Sequence, residues 1–189
     1  MKNRAKILLV ILSAVCLLSG CGNIVKKGTK ALEAKEYDNA VTAFQEAIDS
    51  GNQDKVAEGY QGLGMAYYEQ KEYDKAEEAF QNALDQGAKQ TIQLYNLAGI
   101  SAMQNADYDK ALEYIQAGLA LKADATDQSD EKKVDDSESD LIQEMKYNEI
   151  ICLEKTADWD GAKSKMLEYQ ESYPNDTSVE KEAEFLQTR

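Results

Sequence analysis

Cysteine and acidic side chains supply most of the reactive chemistry available to this chain. Its 189 residues include three cysteines, and 35 Asp and Glu against 21 Lys and Arg, with no histidine. Without histidine there is no Ser-His or Cys-His nucleophile and no histidine metal ligand. The net charge of −14 disfavours nucleic acid, since phosphate binding requires a basic surface. We therefore expect no enzyme active site, no metal site, no cofactor and no nucleic-acid partner.

Cys21 follows a segment with the features of an export signal. Lys2, Arg4 and Lys6 precede an uncharged, mostly apolar run at residues 7–18. This run is shorter than the roughly 20 residues that cross a hydrocarbon core comfortably. The tetrapeptide Leu-Ser-Gly-Cys that ends at Cys21 resembles the lipobox of bacterial lipoproteins. In those proteins the cysteine thiol receives diacylglycerol and becomes the first residue after cleavage.

The lipobox resemblance implies a signal peptide at residues 1–20 and a mature chain at residues 21–189, anchored through Cys21. It places the protein at the cell membrane or outer membrane, on the extracytoplasmic side. Because each buried methylene contributes about 0.8 kcal/mol, two or more acyl chains would anchor the protein stably. Alternatively, Cys21 is a buried or disulfide-bonded cysteine after ordinary cleavage, or the segment is an uncleaved anchor.

Cys152 lies in a run typical of a helix, with no second cysteine and no basic pair beside it. A buried, unreactive thiol is the favoured interpretation, and a redox role is the alternative.

The rest of the chain is repetitive. An acid, an aromatic residue, Asp, any residue and Ala recur at residues 36–40, 72–76, 107–111 and 158–162. Twelve residues before the final alanines stand Gly28, Gly64, Gly99 and Ile150; four residues after them stand Phe44, Phe80, Ile115 and Met166; seven after stand Ala47, Ala83, Gly118 and Tyr169. These offsets predict helix hairpins in which a small residue lets two helices approach and a bulky one fills the space between them. We expect Asp38, Asp74, Asp109 and Asp160 to accept hydrogen bonds from free amides at the start of the second helices.

This pattern resembles the tetratricopeptide repeat. The second unit matches best, with Tyr60, Leu63, Gly64, Tyr67, Tyr73, Ala76, Phe80 and Ala83, while the fourth departs most, with Ile150 and Tyr169 in place of small residues. The resemblance implies an all-α, right-handed solenoid of about four helix hairpins with a C-terminal capping helix. The repeats fall at about residues 24–52, 57–88, 92–122 and 141–174, and the capping helix at 177–188.

The segment at residues 122–140 separates the third and fourth units. It holds eight acidic residues and three lysines, and Val134 is its single large apolar residue. Such a composition cannot bury a core, so we expect a disordered or frayed insertion. Calcium binding is the alternative, although no Asp-x-Asp-x-Asp-Gly loop is present.

In the tetratricopeptide family the first helices of successive repeats line a concave surface that binds peptides. The resemblance points to Gln61, Met65, Tyr68, Glu69, Asn96, Ile100, Met103, Gln104, Tyr147, Ile151, Glu154 and Lys155, with Val25, Thr29, Leu32 and Glu33 in the first unit. Met65, Ile100 and Ile151 share one equivalent position and form either an apolar binding strip or part of the core. The Lys, Asn and Arg pattern with which some members bind C-terminal carboxylates is absent.

These features favour a membrane-anchored scaffold that binds a protein or peptide in the cell envelope. A basic partner with an apolar segment fits the acidic surface and the apolar strip. The alternatives are a self-associating structural lipoprotein and, less favoured, an enzyme or a solute-binding component.

Overall fold

The computed structural model describes residues 23–126 and 136–189, and these residues form helices with no strand. The helices are α1 (Asn23–Glu33), α2 (Tyr37–Asp49), α3 (Gln53–Glu69), α4 (Tyr73–Asp85), α5 (Ile92–Gln104), α6 (Tyr108–Thr126), α7 (Asp136–Lys155), α8 (Trp159–Ser172) and α9 (Glu180–Gln187), with a 3₁₀ turn at Thr177–Val179 before α9. Each helix packs against the next, which confirms the predicted all-α solenoid. Residues 1–22, which include Cys21 and the predicted signal peptide, and residues 127–135 of the predicted insertion lie outside the described residues. None of the described helices combines the length and apolarity that crossing a membrane requires.

Helix extends into both ends of the acidic insertion, where an irregular segment was predicted. The helix α6 continues to Thr126 and α7 begins at Asp136. Lys122, Ala123, Ala125 and Glu138 are good helix formers, and neither end contains Gly or Pro to stop the helix. Residues 122–126 and 136–140 of the predicted insertion are therefore helical.

The four hairpins share one turn conformation. Lys35, Lys71, Ala106 and Ala157 have φ angles of 60°, 63°, 60° and 61°, in the left-handed region. In the first turn, the amide of Glu36 donates to the carbonyl of Ala31 at 2.8 Å, and the amide of Lys35 donates to that of Leu32 at 2.9 Å. This pattern satisfies the last carbonyls of the first helix and ends it abruptly.

The residue that caps each second helix precedes the aromatic residue, so the prediction that Asp38, Asp74, Asp109 and Asp160 accept hydrogen bonds from the free amides was wrong. These aspartates lie inside the first turn, where their charge favours the helix terminus. The side chains of Asp107 and Asp158 accept from the amides of Lys110 and Gly161, at 3.2 and 3.0 Å.

Glutamate occupies the same cap position in the first two hairpins. Glu36 and Glu72 make no side-chain cap hydrogen bond there. Their extra methylene places the carboxylate poorly for this contact, whereas Asp is among the preferred N-cap residues.

The predicted small-and-large pairs meet between the helices of the first three hairpins. A Cβ atom at Gly28 would lie 2.6 Å from the Phe44 ring, and one at Gly64 would lie 2.5 Å from the Phe80 ring. Both rings are fully buried. Glycine is therefore required at these two positions by the close approach of a ring, which confirms the predicted packing.

The capping helix closes the C-terminal end of the solenoid, as expected. Val179, Ala183 and Leu186 join a core cluster with residues of α7 and α8. Phe185 of the same helix lies instead at the surface, where its ring is 6.2 Å from that of Trp159 in an edge-to-face arrangement.

Candidate binding groove

The first helices of the four hairpins form one continuous row. In this row α1 contacts α3, α3 contacts α5, and α5 contacts α7. We call the surface of this row the first-helix face. Each predicted binding residue lies on one of its four helices.

The recurring apolar position is mostly part of the core. Met65 is 2% exposed and belongs to the main core cluster, Ile100 is 8% exposed, and Ile151 is half-buried. The first helices contact one another directly, so side chains at their contacts are enclosed between them. The structure therefore assigns a packing role to Met65 and Ile100, which was one of the two alternatives. In the first unit, Val25 and Leu32 are likewise buried.

The accessible part of the first-helix face is polar and aromatic. Its half-buried members are Thr29, Gln61, Tyr68, Glu69, Met103, Tyr147, Ile151 and Glu154, and its exposed members are Glu33, Gln104 and Lys155. A partner on this face would meet tyrosine rings, carboxylates and amides more than an apolar strip.

Tyr68 is a half-buried aromatic side chain on this face. Its ring lies 5.6 Å from that of Tyr73 in an edge-to-face arrangement. Burial raises the pKa of the Tyr68 hydroxyl, and the nearby Tyr73, Glu144 and Glu69 raise it further. Tyr68 on α3 thus lies within the electric field of a carboxylate on α7, two hairpins further along the chain.

Sequence analysis missed Glu144. This residue is half-buried, and burial raises the pKa of its carboxyl group above the ordinary value. It stands three residues before Tyr147 and therefore on the same side of α7. Extending the predicted binding positions on α7 by one helical turn towards its N-terminus would have included Glu144.

Glu69 is fixed at the end of α3. The Tyr37 hydroxyl donates to Glu69 Oε2 at 3.2 Å, joining the first two hairpins. Burial and this carboxylate together raise the pKa of Tyr37. Glu69, a predicted binding residue, therefore also makes a contact that stabilises the solenoid.

Asn96 is the most enclosed polar residue predicted for this face. It is 4% exposed, and its Oδ1 atom is buried with no hydrogen-bond partner. An unsatisfied buried polar atom costs about 1–3 kcal/mol, so a ligand donor that reached it would recover that free energy.

Glu154 forms an acidic pair with Glu182 of the capping helix. Burial, a hydrogen bond with Glu182 and the charge of Glu182 together raise the pKa of Glu154 to about 7, while Lys155 opposes the shift. Glu154 Oε1 is buried with no partner when both carboxyl groups are ionised. A proton shared between the two groups supplies the missing hydrogen bond.

A second network holds the end of the fourth hairpin. The Tyr169 hydroxyl donates to Asp176 Oδ2 at 2.6 Å, and Gln143 Nε2 donates to the same oxygen at 3.0 Å. The hydrogen bonds from Ser178 and Tyr169 lower the pKa of Asp176. Pairwise repeat alignment could not predict this network, because Tyr169 replaces a small residue and Asp176 lies beyond the repeat.

Cys152, the cysteine within the described residues, is unreactive. Cys152 is fully buried and unpaired, and burial, aided by Glu149, raises the pKa of its thiol to about 12. This confirms the predicted buried cysteine, since the reactive thiolate is not formed near neutral pH. Across residues 23–126 and 136–189, no three acidic or cysteine side chains are arranged to hold a metal ion.

Comparison with known proteins supports the repeat assignment in the first two hairpins. No curated protein matches the chain significantly. Residues 25–91 match the family model described as Tetratricopeptide repeat, a stretch that runs from α1 to the end of the second hairpin. This match and the succession of packed helix pairs support an all-α tetratricopeptide solenoid, a fold that typically serves as a non-catalytic protein-interaction module.

Proposed function

We propose that this protein is a lipid-anchored scaffold of the bacterial cell envelope that binds a protein segment on its first-helix face. The tetratricopeptide repeats indicate an interaction module. The anchor and the position of the binding surface are the additional parts of the proposal.

The N-terminal sequence supports the anchor. Three basic residues, an apolar run at residues 7–18 and the Leu-Ser-Gly-Cys tetrapeptide stand in the order found in lipoprotein signals. Asn23, the first residue of α1, is only two positions after Cys21. An acylated Cys21 would therefore hold the first hairpin close to the membrane.

The observation that favours the first-helix face is the unsatisfied Asn96 amide. Its buried Oδ1 atom lies in α5, the helix between α3 and α7, and has no donor among residues 23–126 and 136–189. Extended peptides present regularly spaced backbone donors, which suits such an acceptor. The half-buried Met103 and Tyr68 on the same face supply adaptable and aromatic contacts.

Substituting Cys21→Ala tests the anchor. We expect the protein to move from the membrane fraction to the soluble fraction and to lose incorporation of labelled palmitate. Cys16→Ala is the matched control, because Cys16 would leave with the signal peptide. Unchanged membrane association of the Cys21→Ala protein, with no lipid label in the wild type, would refute the anchor.

Substituting Met103→Lys tests the binding surface. Crosslinking in native membranes should recover a partner with the wild-type protein and lose it with this variant, which places a charge on the first-helix face. The control is Leu167→Lys, at a side chain on α8 that is 63% exposed. Equal recovery from both variants would show that the partner binds elsewhere.

Self-association is the second candidate function, and Leu167 is the observation that favours it. Among the described residues, Leu167 is the most exposed large apolar side chain, at 63%, and is therefore the position to test for an interface. Light scattering over a concentration series should show a constant monomer mass for the scaffold. Self-association would instead be favoured if the mass of the wild type rises with concentration while the Leu167→Lys variant keeps the mass of a monomer.

A further inference from the structure

Helix α1 differs in charge from every other described helix. It carries Lys26, Lys27 and Lys30 against a single acid, Glu33, so its net charge is positive. Among the other described helices, α5 has no charged residue and each of the rest has more acidic than basic residues. Helix α1 is thus a basic element at one end of an acidic solenoid.

The three lysines lie together on the exposed side of α1. Val25 and Leu32 are buried, whereas Lys26, Lys27 and Lys30 are exposed. Lys30 follows Lys26 by four residues and Lys27 by three, so the three side chains are neighbours on the helix surface. They form one basic surface, which we call the lysine face.

The protein does little to neutralise the lysine face. Lys26 and Lys30 belong to none of the ion pairs within residues 23–126 and 136–189. Lys27 lies 3.7 Å from a carboxylate oxygen of Glu46, but the two side chains are 64% and 51% exposed, and exposed pairs of this kind contribute little. The lysine face is therefore open to an external anion.

The predicted acylation site stands directly before this face. Asn23, the first residue of α1, is two positions after Cys21, and a chain spans at most about 3.6 Å per residue. With a helical rise of about 1.5 Å per residue, Lys26 and Lys30 lie about 4.5 and 10 Å along α1 from Asn23. These distances are comparable to the Debye length of about 8 Å at physiological ionic strength. An acylated Cys21 would therefore hold the lysine face within the electric field of charged lipids.

We propose that the lysine face binds the phosphate groups of anionic lipids in the membrane that holds the acylated Cys21. Each ammonium group offers three hydrogen-bond donors, and a basic cluster beside a membrane anchor is attracted to anionic lipid. This inference rests on the proposed lipid anchor. The acidic helices are repelled by the same lipids, so the binding also orients the solenoid, with α1 towards the membrane and the acidic α9 away from it.

Lysine acetylation of the membrane-purified protein tests the inference. The protein is reconstituted in vesicles of phosphatidylcholine alone, or of equal parts phosphatidylcholine and phosphatidylglycerol, and labelled with a water-soluble acetylating reagent. Mass spectrometry should show Lys26, Lys27 and Lys30 reacting several-fold more slowly with phosphatidylglycerol present, and this protection should disappear in about 1 M salt. Lys181, exposed on α9, is the internal control and should react equally in both vesicles.

A pair of double variants separates binding by the lysine face from simple nearness to the membrane. In the variant with Lys26→Gln and Lys30→Gln, Lys27 should lose most of its protection by phosphatidylglycerol. The control, with Lys89→Gln and Lys181→Gln, removes the same charge from exposed positions elsewhere and should keep the protection of Lys27. Circular dichroism checks that the helices of both variants are intact.

Flotation of the wild type with each kind of vesicle checks the anchor separately. If the protein floats with both vesicles but its α1 lysines react equally in both, the inference is overturned while the anchor stands. Unchanged protection of Lys27 in the variant with Lys26→Gln and Lys30→Gln would overturn it in the same way. If the protein floats with neither vesicle, the anchor is refuted and the inference falls with it.

Discussion

The first three hairpins and the fourth use the same spacing with different side chains. In the first three, Gly28, Gly64 and Gly99 face Phe44, Phe80 and Ile115. Each pair combines a glycine, which has no Cβ atom, with a bulky residue. In the fourth, Ile150 and Met166 are both large and both buried. The fourth hairpin therefore cannot bring its helices together in the same way, and other contacts hold it.

Those other contacts are polar and reach beyond the hairpin. Tyr169 binds Asp176, and Gln143 of α7 binds the same carboxylate. The capping helix adds Ala183 and Leu186 to a core cluster separate from the main one, which spans the first three hairpins and includes Met145 and Cys152 of α7. One repeat pattern is thus stabilised by close apolar packing in one region and by a hydrogen-bonded network with a capping helix in the other.

The largest effect is expected where the helices are closest. Gly64→Ala would place a Cβ atom 2.5 Å from the Phe80 ring, which is fully buried and cannot move without displacing its neighbours. We expect a loss of about 1–3 kcal/mol in the free energy of unfolding, measured with chemical denaturant. Gly99→Ala is the matched case, with the nearest atom, Ile115 Cγ1, at 3.0 Å, and should cost less. Equal or negligible losses would contradict the close-packing account.

A smaller and more local effect is expected in the fourth hairpin. Asp176→Ala removes the acceptor of Tyr169 and of the Ser178 amide. We expect a loss of about 1–2 kcal/mol and faster amide exchange in α9, with exchange in α2 and α4 unchanged. Glu184→Ala, at an exposed position of α9, is the control. Faster exchange throughout the chain would show that the two regions unfold as one unit.

The acidic pair should make the fourth hairpin sensitive to pH. The pKa of Glu154 is about 7 in the folded state, against 4.5 for an ordinary glutamate, so the folded state binds the extra proton between these values. Stability from this group is therefore fully present below about pH 4.5 and is lost as the pH rises through 7. Because the carboxyl is partly exposed, we expect a change of only about 1 kcal/mol.

The measurement is the difference in unfolding free energy between the wild type and Glu154→Gln from pH 5 to 8. The amide does not titrate, so the wild type should lose stability relative to the variant as the pH rises. Glu168→Gln, at an exposed position of α8, should show no such trend. A parallel dependence in Glu154→Gln and the wild type would rule out this pair as the cause.

The smallest expected effect is shared by both regions. Lys71 and Ala157 adopt φ angles of 63° and 61°, which glycine accepts without the steric cost of a Cβ atom. Glycine at either position should stabilise the protein by about 0.5–1 kcal/mol, seen as a higher thermal midpoint. Gln70→Gly, one residue earlier at a φ of −78°, should give no gain. A loss at Lys71 with a gain at Ala157 would show that the turns are not equivalent.

The sequence predicted the repeating parts of this molecule well, because one helical pattern was observed four times. Gly64 and Phe80 were paired by spacing alone, and the structure confirms the pair. The caps were misplaced by two residues because an acid stands on both sides of each aromatic residue, and spacing does not distinguish them. Asp107 and Asp158 are the side chains that bond to the helix amides.

The binding surface was harder to predict than the fold. Met65 and Ile100 recur with the period of a binding strip, but contact between neighbouring first helices encloses them. Glu144 and Asp176 lie outside the aligned repeat positions, and their importance arises from burial and from partners distant in the chain. Such tertiary contacts have no period that a single sequence can show.

Site-specific photocrosslinking in native membranes tests the central claim most directly, which is that the first-helix face binds a protein partner. A photoreactive residue at Gln104, exposed on α5, should give a discrete protein adduct, whereas one at Glu78, exposed on the second helix α4, should not. The adduct should disappear in the Met103→Lys background. An adduct formed equally from both positions, or only from Glu78, would contradict the account.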